Sequence, residues 1–319
     1  MVEHREDQHE LQTVRDWVRY GASRFRAAEL FFGHGTDNAF DEAAWLVLHA
    51  LSMPLDLPET WWDCRVTRAE AGRIRALIEA REHSREPAAY LTGEALFAGI
   101  SFASDARALV PRSPIAELIP QCFSPWIDAA ATRAQAEARA PRILDLCTGS
   151  GCIGLATAIY WPEAAVVATD LSRAALALAE ENRRRLRLEA RVRLLQSDVF
   201  DALAGEPPFD LIVSNPPYVD ADDIGAMPPE FHREPRIGLA AGRDGLDIVR
   251  RILADAASFL TEDGVMIVEV GASQPAFEAT FPRLPVTWLE FEHGGEGVFV
   301  VDRHALLIEG ALDGADEAL

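Results

Sequence analysis

The sequence has little cysteine: Cys64, Cys122, Cys147 and Cys152 are the four in 319 residues, and they form no paired CxxC array. That usage argues against a disulfide framework or a structural zinc site and points to a reducing, cytoplasmic compartment. Long apolar runs are missing too. No uninterrupted stretch approaches the roughly 18 residues that cross a bilayer, and Met1 to Glu10 is dense in charge, so neither a membrane span nor a secretory leader is expected. Positive charge is scarce, with 30 Lys and Arg against 51 Asp and Glu and a formal net charge of −21. Such a surface repels a phosphate backbone, so direct sequence-specific nucleic-acid binding is not expected. A basic partner fits better, although the same acidity would also serve solubility alone. His34, His83, His232 and His293 form no metal-binding spacing, and no internal repeat is visible.

What is present suffices for a large core: 49% of residues are hydrophobic, and the length suggests about two domains. Residues 1–95 read as a small helical domain. Trp17, Val18 and Phe25 recur at helical spacing, Asp41 to Leu51 is an apolar-rich stretch opened by an Asp suited to capping, and a further helix runs from an N-capping Thr67 to Glu82. Residues 96–110, with Phe97, Ile100, Phe102 and Leu109 among Gly and Ser, predict a linking β-hairpin. From 111 to 308 short β-rich runs alternate with helical ones, the pattern of an α/β sheet with crossover helices. The strands are expected at Arg142 to Cys147, Ala165 to Asp170, Arg191 to Gln196, Phe209 to Ser214, Gly264 to Val270, Val286 to Phe291 and Val298 to Asp302. Helices are expected at Cys152 to Tyr160, Ser172 to Leu188 and Leu246 to Leu260. Residues 309–319 are small and acidic and read as a disordered tail.

The segment from Ile143 to Gly154 is an apolar strand running into a glycine-rich turn and then a helix, and Gly149, Gly151 and Gly154 satisfy GxGxxG. Such a turn lets a ligand lie against bare backbone at a helix N-terminus. It suits a dinucleotide as well as any other adenosine cofactor, and a glycine turn can also hold nothing. Asp170 ends the next strand about 20 residues on, where an acid accepts hydrogen bonds from ribose hydroxyls in either case. Ser197-Asp198-Val199-Phe200 then places an acid and apolar residues where an adenine ring and its exocyclic amine would pack; a solvated loop Asp is the plainer alternative.

Asn215-Pro216-Pro217-Tyr218 decides the chemistry. It follows an apolar strand, and its prolines stiffen the chain and remove two donors, leaving carbonyls free to accept. A planar amide or aromatic amine offers two N–H donors, which the Asn215 side-chain oxygen and the Pro216 carbonyl can take, so that the nitrogen's out-of-plane electron pair faces a methyl donor. Positive charge developing on that nitrogen is stabilised by the same acceptors. Tyr218 supplies a wall for the planar group. Alone, this tetrapeptide could be a rigid turn. Placed after a glycine-rich strand turn, it carries more weight.

These residues resemble the HemK-like protein-(glutamine-N5) methyltransferases, with motifs matching from about Pro87 to Asp302: Val110-Pro-Arg112, Asp145 with the glycine loop, Asp170, Asn215 to Tyr218, Glu234-Pro235, and Gly242 to Leu246. The resemblance implies a Rossmann-like class I sheet of seven strands, mostly parallel with one reversed, and S-adenosylmethionine as cofactor. By that resemblance Thr148, Gly149, Ser150, Gly151, Asp170, Val199 and Asn215 contact the cofactor and Asn215, Pro216, Pro217 and Tyr218 form a catalytic clamp; Asp145, Leu171 and Asp198 join them as cofactor-site candidates, and no metal is expected. Cys147 stands where the family commonly has its first glycine, Ser113-Pro114 where release-factor enzymes continue differently, and Val199 where they often have Trp. With Gly35 to Asn38 and Gly294 to Phe299, these features are similar to the branch acting on a large-subunit ribosomal protein, the third in its conventional numbering. A basic ribosomal protein, one met during ribosome assembly, would suit an acidic enzyme. The competing expectations are methylation of the Gly-Gly-Gln glutamine of release factors, adenine methylation in DNA, a nicotinamide oxidoreductase sharing the glycine loop, and a non-catalytic ribosome-assembly factor.

Overall fold

The computed structural model describes residues 11–127 and 140–308. The charged N-terminal decapeptide and the acidic tail from 309 therefore lie outside the described residues. Contacts divide the described residues into two units, one running to Ala95 and taking in Pro228–Glu234, the other made of those from Leu96 to Met227 and from Pro235 onward.

The first unit is helical. α1 (Val14–Ala27) opens on a reciprocal capping box between Thr13 and Asp16, and it buries Trp17, Val18 and Phe25 on one face. α2 (Ala39–Ala50) is capped by Asn38 and not, as the sequence suggested, by Asp41. The extended backbone of Asn38 lets its Oδ1 accept from the amides of Phe40 and Asp41, both at 3.0 Å. Asp41 thereby falls inside the first turn, where its charge favours the helix dipole. α3 (Arg68–Ser84) starts at Thr67 through a second capping box with Glu70, and α4 (Ala88–Thr92) follows. Their apolar faces join in one core that includes Trp17, Phe25, Leu46, Ile74 and Ile78.

That core also holds ions. The fully buried Arg81 donates from Nε to Glu42 at 2.7 Å and from Nη2 to the Phe31 carbonyl at 3.0 Å, and its Nη1 lies 3.6 Å from Glu230. Glu230, on the returning segment Pro228–Glu234, also accepts from the Phe31 amide at 3.1 Å and from Arg85 at 3.2 Å. Burial pushes the Glu42 carboxyl above its ordinary range, opposed by Arg81 and by the Thr36 hydroxyl.

A hairpin of β1 (Glu94–Phe97) and β2 (Ile100–Ala103) comes next. It is shorter than the predicted stretch to Val110, because Arg107 turns back to pair with Asp105 at 2.6 Å and ends the extended run.

The large sheet of the second unit comprises β3 (Arg142–Leu146), β4 (Ala165–Asp170), β5 (Val192–Gln196), β6 (Phe209–Ser214), β7 (Leu260–Glu269), β8 (Thr287–Trp288) and β9 (Val298–Asp302). The order is β5-β4-β3-β6-β7-β9-β8. Strands β3 to β7 pair parallel, and β9 runs against both β7 and β8. The seven-stranded sheet with one reversed strand is thus observed. β8 keeps only two of the six residues expected of it; Pro285 precedes it and Gly294-Gly295 follow, and a short edge strand offers little to unwanted pairing.

Helices cover both faces, which is why the central strands are apolar almost throughout. Along β3, Ile143 enters one core with Ile153 and Leu155 of α5 (Cys152–Tyr160), while Leu144 and Leu146 enter the other with Val249 and Ile252 of α8 (Asp247–Phe259). The remaining helices are α6 (Arg173–Arg185), α7 (Ala221–Ala226) and α9 (Gln274–Thr280).

Candidate active site

Strand order reverses between β3 and β6, and in open parallel sheets ligands bind beyond the carboxyl ends of the strands at that reversal. The register fixes which residues meet there. Leu146 is level with Thr169 of β4 and Ser214 of β6, Ser214 with Val268 of β7, and Asp170 with Gln196 of β5. The next residues along each strand line up accordingly: Ser197-Asp198, Asp170, Cys147, Asn215 and Glu269 follow one another across the carboxyl edge. The Ser214 hydroxyl donates to the Leu146 carbonyl at 2.9 Å and ties the two central turns together.

The glycine turn is built tightly. Thr148 N donates to the Thr169 carbonyl, and Gly151 N to the Thr148 carbonyl, each at 2.9 Å. Gly149 and Gly151 lie at φ of +58° and +84°, and Cys147, where a glycine is usual, adopts the same left-handed conformation at +59°. The substitution therefore leaves the turn its shape. A non-glycine there carries a strain of roughly 1–2 kcal/mol. Burial, with Asp170 nearby, pushes the Cys147 thiol far up, so it stays protonated. Gly154 is required for close approach, since a Cβ there would stand 2.8 Å from Asp145 Oδ2. Ser150 is held from α6: the buried Asn182 donates to the Ser150 carbonyl at 3.0 Å while bonding both backbone groups of Ala103.

Asp145 is fully buried at the end of β3. Its Oδ2 accepts from the Thr148 hydroxyl at 2.5 Å and the Gly154 amide at 2.8 Å, and its Oδ1 has no partner among the described residues. Burial pushes the carboxyl up to about 7, against the Thr148 and Gly154 hydrogen bonds and with the nearby Asp170 charge adding to the rise. A folded-state value above the ordinary 3.8 means that the native protein keeps a proton the unfolded chain loses. Stability from this group is therefore greatest below about pH 4 and declines as pH rises to about 7. Asp145→Asn, which imitates the protonated form, is expected to remove that decline. Urea unfolding at pH 5 and 7.5 checks it: wild-type minus variant stability should fall between the two pH values, and a constant difference would refute the assignment.

Asp170 ends β4 with both oxygens on backbone donors, Gly149 N at 2.9 Å and Ser172 N at 2.8 Å, and burial raises its carboxyl in spite of them. The second lone pair on each oxygen remains for hydroxyls of a ligand. Leu171 follows, half exposed, and Val199 is buried at φ +49°. Asp198 does not stand alone: its Oδ1 pairs with Arg251 of α8 at 2.8 Å, a partner the sequence did not suggest. Asp170→Ala is expected to weaken cofactor binding about 10-fold to 100-fold, the scale of one charge-assisted hydrogen bond at about 1.5–3 kcal/mol. Calorimetric titration reads this, and an unchanged dissociation constant would remove Asp170 from the cofactor site.

On the other side of the reversal, Pro216 is buried and Asn215, Pro217 and Tyr218 are half-buried. The backbone of Tyr218 and Val219 is fixed from three sides: Ser273 Oγ donates to the Tyr218 carbonyl at 2.7 Å, Val219 N to the Leu239 carbonyl at 2.8 Å, and Ala241 N to the Val219 carbonyl at 2.9 Å. The Tyr218 ring lies against bare backbone, for a Cβ on Gly271 would come within 2.6 Å of it. Tyr218 donates its hydroxyl to Glu269 Oε1 at 3.0 Å and Ser113 donates to Glu269 Oε2 at 2.5 Å, while the register of β6 and β7 sets Asn215 beside Glu269. Glu269 and Asn182 went unnoticed in the sequence. Asn182 had a signal: it sits with Ala175, Leu178 and Ala179 on the buried stripe of a helix, where an amide needs a reason. Among the described residues no cluster of His, Cys, Asp or Glu could hold a metal ion.

A bare-backbone cradle on one side of the sheet reversal, facing a rigid turn rich in acceptors on the other, is the layout of a Rossmann-like methyltransferase. Comparison with known proteins agrees. Residues 131–228 match the methyltransferase small domain and residues 16–93 the PrmC N-terminal domain. The ribosomal protein uL3 glutamine methyltransferase of Xanthomonas campestris is 51% identical over 302 residues, covering 95% of each chain. Relatives of the same name from Xylella fastidiosa and Neisseria gonorrhoeae are 49% and 45% identical, over 93% and 94% of this chain and 92% and 97% of theirs. The chain belongs to the ribosomal protein uL3 glutamine methyltransferase family, within the HemK-like protein-glutamine methyltransferases.

Proposed function

We propose that this protein transfers a methyl group from S-adenosylmethionine to the side-chain amide nitrogen of a glutamine in the large-subunit ribosomal protein uL3. The observation that carries the reading is the adjacency of the glycine turn and the Asn215–Tyr218 turn on neighbouring strands, locked together through Ser214 and Leu146. The residues fit the cofactor. Asp145 keeps a buried oxygen without a hydrogen-bond partner among the described residues, suited to a cationic or N–H group, Asp170 has lone pairs for ribose hydroxyls, and Leu171 and Val199 offer apolar surface to a purine. When bound, S-adenosylmethionine supplies an electrophilic methyl carbon on a positively charged sulfur.

The chain's own residues do the rest. The Asn215 side-chain oxygen and the Pro216 carbonyl accept the two N–H groups of the substrate amide, and Tyr218 and Pro217 confine its plane. The amide nitrogen is a poor nucleophile because its electron pair is shared with the carbonyl. Holding it in line with the methyl carbon converts an encounter into an oriented step. Both acceptors strengthen their hold as the nitrogen gains positive charge, and loss of one proton leaves a neutral methylamide. We assign the chemistry to residues 111–308, joined by the 96–110 hairpin to the helical residues 1–95, which recognise the partner in the cytoplasm. The net charge of −21 suits a basic ribosomal protein.

The test is transfer of labelled methyl from the cofactor to purified uL3, to a release factor and to duplex DNA. Label on a uL3 glutamine, located by mass spectrometry, is expected. Label on release factor or DNA alone would overturn the reading.

A further inference from the structure

Asparagine is an ambiguous ligand: turning its terminal amide by half a rotation exchanges an acceptor for a donor pair at almost the same shape. A substrate NH₂ group brings only donors, so one of those two orientations grips it and the other repels it. Something beside Asn215 must choose. Glu269 is the last residue of β7, level in the sheet with the position after Ser214, and it is 4% exposed. Burying a carboxylate at a strand end is costly unless it is well satisfied. Here it accepts from the Ser113 hydroxyl at 2.5 Å and the Tyr218 hydroxyl at 3.0 Å, and the sheet register sets Asn215 beside it.

We propose that Glu269 is the positioning residue of the methyl-acceptor clamp: as an acceptor-only group it draws the Asn215 NH₂ inward, presents the Asn215 oxygen to the substrate amide, and sets the tilt of the Tyr218 ring through its hydroxyl. This rests on the reading that Asn215 holds a substrate amide. Ser113 aims the carboxylate from a different element, the loop preceding Pro114, so two stretches far apart in sequence converge on an acceptor in a third. Burial pushes the Glu269 carboxyl above its ordinary range, and the Ser113 and Tyr218 hydroxyls, the charge of Arg112 and the neighbouring Asn215 oppose that rise and favour the ionised form.

Glu269→Gln keeps the size but replaces one acceptor with a donor, which satisfies Asn215 in its reversed orientation. The expected result is a single-turnover methyl-transfer rate lowered roughly 10-fold to 100-fold, the scale of a misplaced reacting group, with cofactor affinity and melting temperature retained. A variant that keeps the wild-type rate would overturn the proposal. So would one losing rate, cofactor affinity and melting temperature together, because that marks a merely structural residue. If Glu269→Gln does not fold, Glu269→Asp, which keeps the charge but withdraws it from Asn215, is expected to show the same split between rate and cofactor affinity, and an unaltered rate there would overturn the proposal equally. A readout independent of catalysis separates this inference from the functional reading beneath it. The side-chain amide resonance of Asn215 in ¹⁵N-asparagine-labelled protein, assigned by its loss in Asn215→Ala, should shift in Glu269→Gln even if no methyl acceptor is found. An unmoved resonance would refute the positioning role, whereas a shifted resonance in an enzyme that methylates no glutamine would refute only the functional reading.

Discussion

Asn215→Ala is expected to lower single-turnover methyl transfer by roughly 10²-fold or more, the usual effect of removing one oriented dipole from a transition state. The alanine removes the side-chain oxygen that accepts a substrate N–H and leaves the Pro216 carbonyl alone. It also removes the neighbour of Glu269 in the sheet register, but the Ser113 and Tyr218 hydroxyls remain on that carboxylate at 2.5 and 3.0 Å, so the surrounding structure should persist. Cofactor affinity should fall much less than the rate, because the glycine turn is held by its own backbone bonds and by Asp170. Rapid-quench kinetics with saturating cofactor separate the two quantities. Near-normal single-turnover transfer would remove Asn215 from the catalytic role.

The largest effect on stability is expected from Arg81→Met. The methionine keeps the apolar stem but leaves Glu42 facing the core without its 2.7 Å partner, strands the Phe31 carbonyl, and withdraws charge from beside Glu230. Removing one member of a buried ion pair costs about 3–5 kcal/mol, a large part of what holds a small helical unit folded. Replacing Glu42 by leucine in the same chain should recover part of the loss, because a buried pair exchanged for apolar side chains of similar volume is near neutral. Thermal unfolding of wild type, Arg81→Met and the double variant reads both effects. If the single variant melts with wild type, or the double variant is no better than the single, the buried ions do not hold the helical unit together.

How much of this was legible in the sequence depended on how local the determinants are. β3, β4 and β6 declared themselves because strands covered on both faces are apolar nearly throughout, whereas β8 lies at an edge where little burial constrains it. The Thr67 capping box was readable because its two members are three residues apart. Asn38 and Asp41 are both good caps, and the backbone geometry at Asn38 decided between them. The glycine turn and the Asn215–Tyr218 turn were each visible as motifs, but the sheet order that makes them neighbours was not written in either. Glu269 was invisible for the same reason. Its hydrogen-bond partners Ser113 and Tyr218 lie 156 and 51 residues away in the chain, and only the parallel register of β6 and β7 brings Asn215 beside it. Glu230 shows the effect at its strongest, since it lies 199 residues beyond Phe31, whose amide it accepts.

The proposed chemistry turns on a rigid set of acceptors holding a flat NH₂ group beside the methyl donor. A crystal structure with S-adenosylhomocysteine and a glutamine-containing segment of uL3 measures that directly. The glutamine nitrogen should lie about 2.7–3.2 Å from both the Asn215 side-chain oxygen and the Pro216 carbonyl, with its remaining face toward the cofactor sulfur. A glutamine amide turned away from both oxygens, or an Asn215 presenting its NH₂ group to the substrate, would contradict it.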